Sequence, residues 1–299
     1  MFSFQRAKFR GRHGAPAAAR RPAGISRLLT ALLAVQLAGC QPPPAPSIAQ
    51  GPPEDGAQFP DCAAGSRPGP AGASDTLSTP EGVRYSLRAP LRYQPGHAHP
   101  LLVVYAPAGH SPRANEALTG LTSAATARGW LVAYAGAKPV ALPTLRALAG
   151  LPRAIAARWC VDPTRIYATG HSDGGTISTA LTVLPDLPHP FAAIVPSAAG
   201  FTAADLKAYA CPAPRPVRVL HNAGDTHFPG YGREAADWWA QCNGCGPPGT
   251  PDAAGCLHYG QCPATGPVEY CEGPGDHRHW PAAPEALLDF LDAAPPRSP

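Results

Sequence analysis

The sequence predicts an α/β fold built on a mostly parallel sheet with helices on both faces. Short apolar runs rich in β-branched residues recur from about residue 81. Ala-rich segments with helical character separate them, and Pro or Gly bounds most runs. Strands alternating with helices in this way favour parallel pairing through crossovers.

Leu101–Tyr105 (LLVVY) lies between Pro100 and Pro107 and reads as a buried strand. Asn115–Arg128 is Ala-rich and reads as a helix, followed by a second strand at Trp130–Tyr134. Leu145–Trp159 reads as a helix around Pro152, and Arg165–Thr169 (RIYAT) as a third strand. Gly175–Leu184 is helical; Phe191–Val195 and Pro216–Leu220 are strand-like. Glu234–Ala240 is helical, Pro267–Tyr270 is a late strand, and Glu285–Leu291 is a closing helix. There are no internal repeats.

The chain has 299 residues, 44% of them hydrophobic, so it can bury a large core. Its formal charge of +4 is unevenly placed. Residues 1–40 hold seven basic residues and no acid; the remainder has 17 basic against 20 acidic residues, a net of −3. A mildly acidic domain without a basic stripe is poorly suited to nucleic acid.

The basic N-terminus reads as a targeting signal. Basic residues up to Arg27 precede an apolar run at Leu28–Leu37, too short for a permanent membrane span. The run ends in Leu37-Ala38-Gly39-Cys40, which resembles a bacterial lipobox with Cys40 as the lipidated residue. Residues 41–61 are Pro-rich and read as a semi-stiff tether, which leaves 62–294 as the folded domain. The expectation is an exported lipoprotein that meets the membrane through its anchor alone.

Eight further cysteines follow: Cys62, Cys160, Cys211, Cys242, Cys245, Cys256, Cys262 and Cys271. An even number in an exported chain predicts four disulfides, with 105 possible pairings. The rival is zinc at Cys242-x-x-Cys245 with Cys256 and Cys262. Export and the lack of a second close Cys-x-x-Cys pair favour disulfides and no metal.

The chemistry concentrates at Gly170-His171-Ser172-Asp173-Gly174, a G-x-S-x-G motif between a predicted strand and a predicted helix. That strand–turn–helix context defines a nucleophile elbow, with Ser172 as nucleophile and the Asp173 backbone N–H as an oxyanion donor. A serine needs a base, and the base an orienting acid, here expected in the order Ser, Asp, His. Asp225 follows the strand at 216–220 and suits the acid. His221 and His227 flank it and read as loop-lining. For the base, His277 and His279 both follow the last strand. His277 is preferred because it follows Gly275-Asp276, whereas His279 precedes Trp280-Pro281 and is biased towards extended backbone. The second oxyanion donor should come from the loop after LLVVY. Pro107 has no N–H, which leaves Ala108, with Tyr105 and His110 as further candidates to line the site.

Cys160–Gly175 (CVDPTRIYATGHSDGG) resembles the VDP-x-R…G-x-S-x-G-G core of the polyhydroxybutyrate depolymerase/feruloyl esterase superfamily. Trp239–Cys245, the Cys256 and Cys262 pair, Val268–Cys271 and the early Cys62 resemble its feruloyl-esterase branch. The resemblance implies an α/β-hydrolase fold, hydrolysis of carboxylic esters by Ser172, Asp225 and His277, and no cofactor. The sequence departs from the family at Ala106-Pro107, where His-Gly is usual, at Asp173, and in the acid loop His221–Asp225. Acyl and alcohol specificity and oligomeric state stay open. The alternatives are a non-catalytic ligand-binding lipoprotein, or acyl transfer or peptide cleavage by the same triad.

Overall fold

The computed structural model describes Cys62 and residues 67–297. The expected leader, Cys40 and the tether lie outside the described residues. Nine strands form one sheet in the order β1-β2-β4-β3-β5-β6-β7-β9-β8. The strands are β1 Gly72–Ser78, β2 Arg84–Ala89, β3 His99–Tyr105, β4 Leu131–Ala135, β5 Val161–His171, β6 Ala193–Ser197, β7 Val217–Gly224, β8 Cys256–His258 and β9 Val268–Asp276. The six central strands, from β4 to β9 in sheet order, run parallel. β1 and β2 on one edge and β8 on the other pair antiparallel.

β3 is buried on both faces, and its apolar residues explain why. Leu101, Leu102, Val103 and Val104 are wholly shielded from water. Each contributes roughly 1.5–3 kcal/mol of hydrophobic stabilisation. Residues 101, 103 and 105 point to one core layer and 102 and 104 to the other, as strand alternation requires. The first layer is completed by α3 (Leu142–Ala149), α4 (Leu151–Ala156), α5 (Asp173–Val183) and α7 (Tyr231–Asn243). The second is completed by α2 (Thr122–Ala127) and α8 (Pro284–Asp292). The short α6 (Ala203–Leu206) packs near α7.

Two expected helices are each split. Asn115–Arg128 becomes α1 (Pro112–Thr119) and α2, because Gly120 adopts a left-handed φ of 64° and stops the first helix. Ser111 caps the start of α1 by accepting from the Ala114 N–H at 3.2 Å. Leu145–Trp159 becomes α3 and α4, with the break at Gly150 rather than at Pro152. Pro152 sits in the first turn of α4, where its missing N–H costs nothing. β1, β2, β8 and α6 had no strong apolar signal and were not expected.

Four disulfides join Cys62–Cys160, Cys211–Cys242, Cys245–Cys262 and Cys256–Cys271. Three of them staple the C-terminal part, and their number fits an oxidising, extracytoplasmic environment. Among the described residues, no helix is long and apolar enough to cross a membrane.

Candidate active site

The parallel strands end together at one edge of the sheet. Tyr105 pairs with Gly170, His171 with Ser197, Ser197 with Leu220, and Gly224 with Asp276. Each expected site residue stands at this edge, where open α/β sheets hold their ligands. Ser172 follows the last residue of β5, Asp225 the last of β7, and His277 the last of β9. Ala108 lies three residues beyond β3.

Ser172 is held in the turn between β5 and α5 with φ 55° and ψ −117°. A positive φ is strained for a residue with a side chain and persists only when its surroundings fix it. The Ser172 N–H donates to the Ser197 carbonyl at 2.9 Å, and the Ser172 carbonyl accepts from the Thr176 N–H and hydroxyl at 2.9 and 3.0 Å. The glycines of the motif make room for the turn: a Cβ on Gly170 would sit 2.5 Å from the Tyr105 carbonyl oxygen.

Ser172 Oγ lies 2.9 Å from His277 Nε2, and His277 Nδ1 lies 2.8 Å from Asp225 Oδ2. Asp225 is only 4% exposed, and its side chain is wholly shielded. Its other oxygen accepts the backbone N–H groups of His227 and Phe228, each at 2.9 Å. Burial alone would push the Asp225 carboxyl up. The His277 hydrogen bond and these two amides outweigh it, so the group is held below the usual carboxylate range. Asp225 is therefore ionised at neutral pH. It fixes the proton on His277 Nδ1 and leaves Nε2 bare to take one from Ser172.

Asp173 opens α5, and its backbone N–H is one that the helix leaves without an internal partner. Its half-buried carboxyl is raised by burial, against the pull of nearby His277 and His227. Ala108 is exposed on the loop after β3, and its carbonyl lies 3.2 Å from His110 Nδ1. Tyr105 does not line the site: its phenol is fully buried in the core, without a hydrogen-bond partner.

The structure separates the two histidines. His279 Nδ1 lies 2.8 Å from Asp276 Oδ1, and its side chain is 65% exposed. It therefore helps to close the turn and faces solvent. His221 is a correction: it is 2% exposed beneath Asp225, with Nε2 3.7 Å from Oδ2, and it does not line the loop. Its proximity to Gly232 explains the burial, since a Cβ there would meet the imidazole at 2.6 Å. His227 remains exposed, its ring 4.8 Å from that of His277. Phe228 meets His277 edge-on at 5.0 Å and stacks on Tyr231 at 5.3 Å, an aromatic wall beside the histidine.

Three neighbours of the site were not foreseen. His171 Nε2 lies 2.6 Å from the His277 carbonyl, and its Nδ1 lies 2.9 Å from Ser197 Oγ. The Asn222 amide donates to the carbonyls of Asp276 and His279, both at 2.8 Å. These residues sit on strands remote in sequence from 276–279, and no local pattern marks the pairing. Among the described residues, no group of three or more His, Cys, Asp or Glu side chains is placed to hold a metal ion.

No family model matches the sequence, and no curated protein matches it. Solved structures do match its fold. An acetyl xylan esterase from Aspergillus awamori superposes with a TM-score of 0.56 at 15% identity, covering 75% of this chain and 100% of that one. A truncated carbohydrate esterase from gut microbiota gives 0.52 at 13% identity, covering 75% and 98%. A fluorophosphonate-binding serine hydrolase of Staphylococcus aureus gives 0.52 at 14% identity, covering 75% and 99%. These likenesses show the fold: the chain's mostly parallel sheet with its crossover helices is of the α/β-hydrolase type.

Proposed function

We propose that this chain is an exported serine carboxylesterase that uses Ser172, His277 and Asp225. The observation that carries the reading is the unbroken hydrogen-bond chain from Ser172 Oγ through His277 to Asp225, at 2.9 and 2.8 Å. Ser172 Oγ attacks the ester carbonyl carbon as its proton passes to His277 Nε2. Asp225 orients the imidazole and stabilises the imidazolium. The oxyanion is stabilised by the Asp173 N–H, with the Ala108 N–H as the second donor. The intermediate collapses, and His277 returns the proton to the departing alcohol. Water then attacks the acyl-enzyme with His277 again as base, releasing the acid and restoring Ser172. Apart from the attacking water, every step uses groups of the chain itself, so the mechanism requires neither metal nor cofactor.

Both the sequence resemblance and the esterases that share the fold favour carboxylic esters, acyl esters of polysaccharides among them; the sequence resemblance adds polyhydroxyalkanoate polyesters. Four disulfides support an extracytoplasmic location, and the lipobox at Cys40 supports anchoring by an acyl chain. The deciding experiment is hydrolysis of a chromogenic short-chain ester by the wild type and by Ser172→Ala. Turnover by the first and not the second supports the reading; equal rates would overturn it. Incorporation of labelled palmitate, lost in Cys40→Ala, tests the anchor.

A further inference from the structure

We infer that His171 is a positioning residue that holds His277 in its working place through the His277 backbone carbonyl; this rests on the esterase reading above. His171 is one of the two positions, with Asp173, that the G-x-S-x-G pattern leaves undefined. Its side chain is 2% exposed, although it lies next to the nucleophile. Burying an imidazole there is costly unless both ring nitrogens are satisfied.

Both are satisfied, and in one direction only. Nε2 faces the His277 carbonyl at 2.6 Å, and a carbonyl can only accept. Nε2 therefore carries the proton. Burial holds the ring below the ordinary histidine pKa, so it is neutral at pH 7 and Nδ1 is bare. The Ser197 hydroxyl, 2.9 Å away, must then donate to Nδ1. The other tautomer would set two acceptors against each other at the His277 carbonyl. A second chain, Ser197 to His171 to His277, thus runs beside the first. Its origin is tied to the nucleophile, because the Ser197 carbonyl accepts the Ser172 N–H.

The need for such a device follows from the fold. Pairing between β7 and β9 ends at Gly224 with Asp276, one residue before His277. The sheet ladder therefore does not fix the backbone of the base. Asn222 holds the carbonyls on either side of it, at Asp276 and His279. His171 alone among the described side chains holds the carbonyl of His277 itself. A shift of about 1 Å in a reacting group can cost on the order of 10²-fold in rate.

The test compares His171→Met, which keeps bulk without a donor at its tip, with His171→Gln, whose carboxamide N–H can reach the same carbonyl. His171→Met is expected to lower kcat by about 10²-fold while KM stays within about twofold. His171→Gln is expected to recover about tenfold of that loss. The downfield imidazole N–H resonance of His277 in proton NMR should broaden or shift in the Met variant and return in the Gln variant. Unchanged kcat and resonance in a folded His171→Met protein would overturn the inference. So would a loss that Gln fails to restore. If His171→Met does not fold, Ser197→Ala takes its place, with about a tenfold loss in kcat expected at unchanged KM; no loss would overturn the inference. Failure of the esterase reading looks different: Ser172→Ala would keep the wild-type rate, while the resonance would still report on His277.

Discussion

A methyl group added at Gly174 would overlap the carbonyl oxygen of Tyr105. The start of α5 is therefore pressed directly against the end of β3, backbone to backbone. Gly174→Ala should force the two apart, with a stability loss of about 3 kcal/mol. Urea unfolding followed by circular dichroism measures this. A variant as stable as wild type would show that the elbow is looser than the geometry implies.

Ser172→Ala should reduce kcat for ester hydrolysis by on the order of 10⁴-fold or more, because triad members act as a unit. Stability should not fall, since the change relieves no fold contact other than the bond to His277 Nε2. The variant should also fail to react with a fluorophosphonate probe that labels the wild type.

His277→Ala should lose roughly 10³-fold or more in kcat, as expected for a lost general base. His279→Ala should lose no more than about tenfold, because it removes only one bond to Asp276 from an exposed turn. Steady-state kinetics on both variants decides the matter. The reverse order would move the base to His279.

The disulfides should separate stability from activity. The Cys62–Cys160 bridge spans 98 residues and should contribute about 4.7 kcal/mol by loop entropy. The Cys256–Cys271 bridge spans 15 residues and should contribute about 3 kcal/mol. The shorter bridge sits on β9, the strand that runs into His277. Replacing both its cysteines by Ala should therefore lower kcat more than removing the longer bridge, although it lowers the melting temperature less. Calorimetry paired with kinetics on the two double variants reads both effects.

His258 gives a pH dependence of known sign. Its Nε2 lies 2.9 Å from Asp252 Oδ2 and its Nδ1 3.2 Å from Glu269 Oε1. The hydrogen bond to Asp252, with help from Glu269, raises its pKa above the ordinary 6.5. The folded state therefore binds the proton more tightly than the unfolded chain does. The stabilisation is fully present below pH 6.5 and is lost as pH rises through the raised value. His258→Gln should flatten this part of the curve of urea midpoint against pH. An unchanged slope would assign the dependence to another group.

The central parallel strands were legible from residues alone because their apolar runs are buried on both faces. Leu101–Tyr105 and the Ile166, Tyr167, Ala168 and Thr169 stretch are runs of fully buried residues. The antiparallel strands β1 and β2 were not legible. β1 (GASDTLS) is exposed along most of its length and owes its conformation to pairing with β2. The split of 115–128 turned on Gly120, whose left-handed conformation a propensity argument does not reveal.

The sequence by itself determined the order of the six parallel strands, the elbow around Ser172, the pairing-ready set of eight cysteines, and Asp225 and His277 as candidates at two strand ends. These depend on local pattern, which is written in consecutive residues. Only the tertiary structure decided which cysteines join, which of His277 and His279 faces Ser172, and that His221 lies buried beneath Asp225. It alone brought His171 and Asn222 to the carbonyls of 276–279, across separations of 106 and 54 residues. Such contacts depend on register across a sheet, where a shift of one residue turns every side chain to the opposite face.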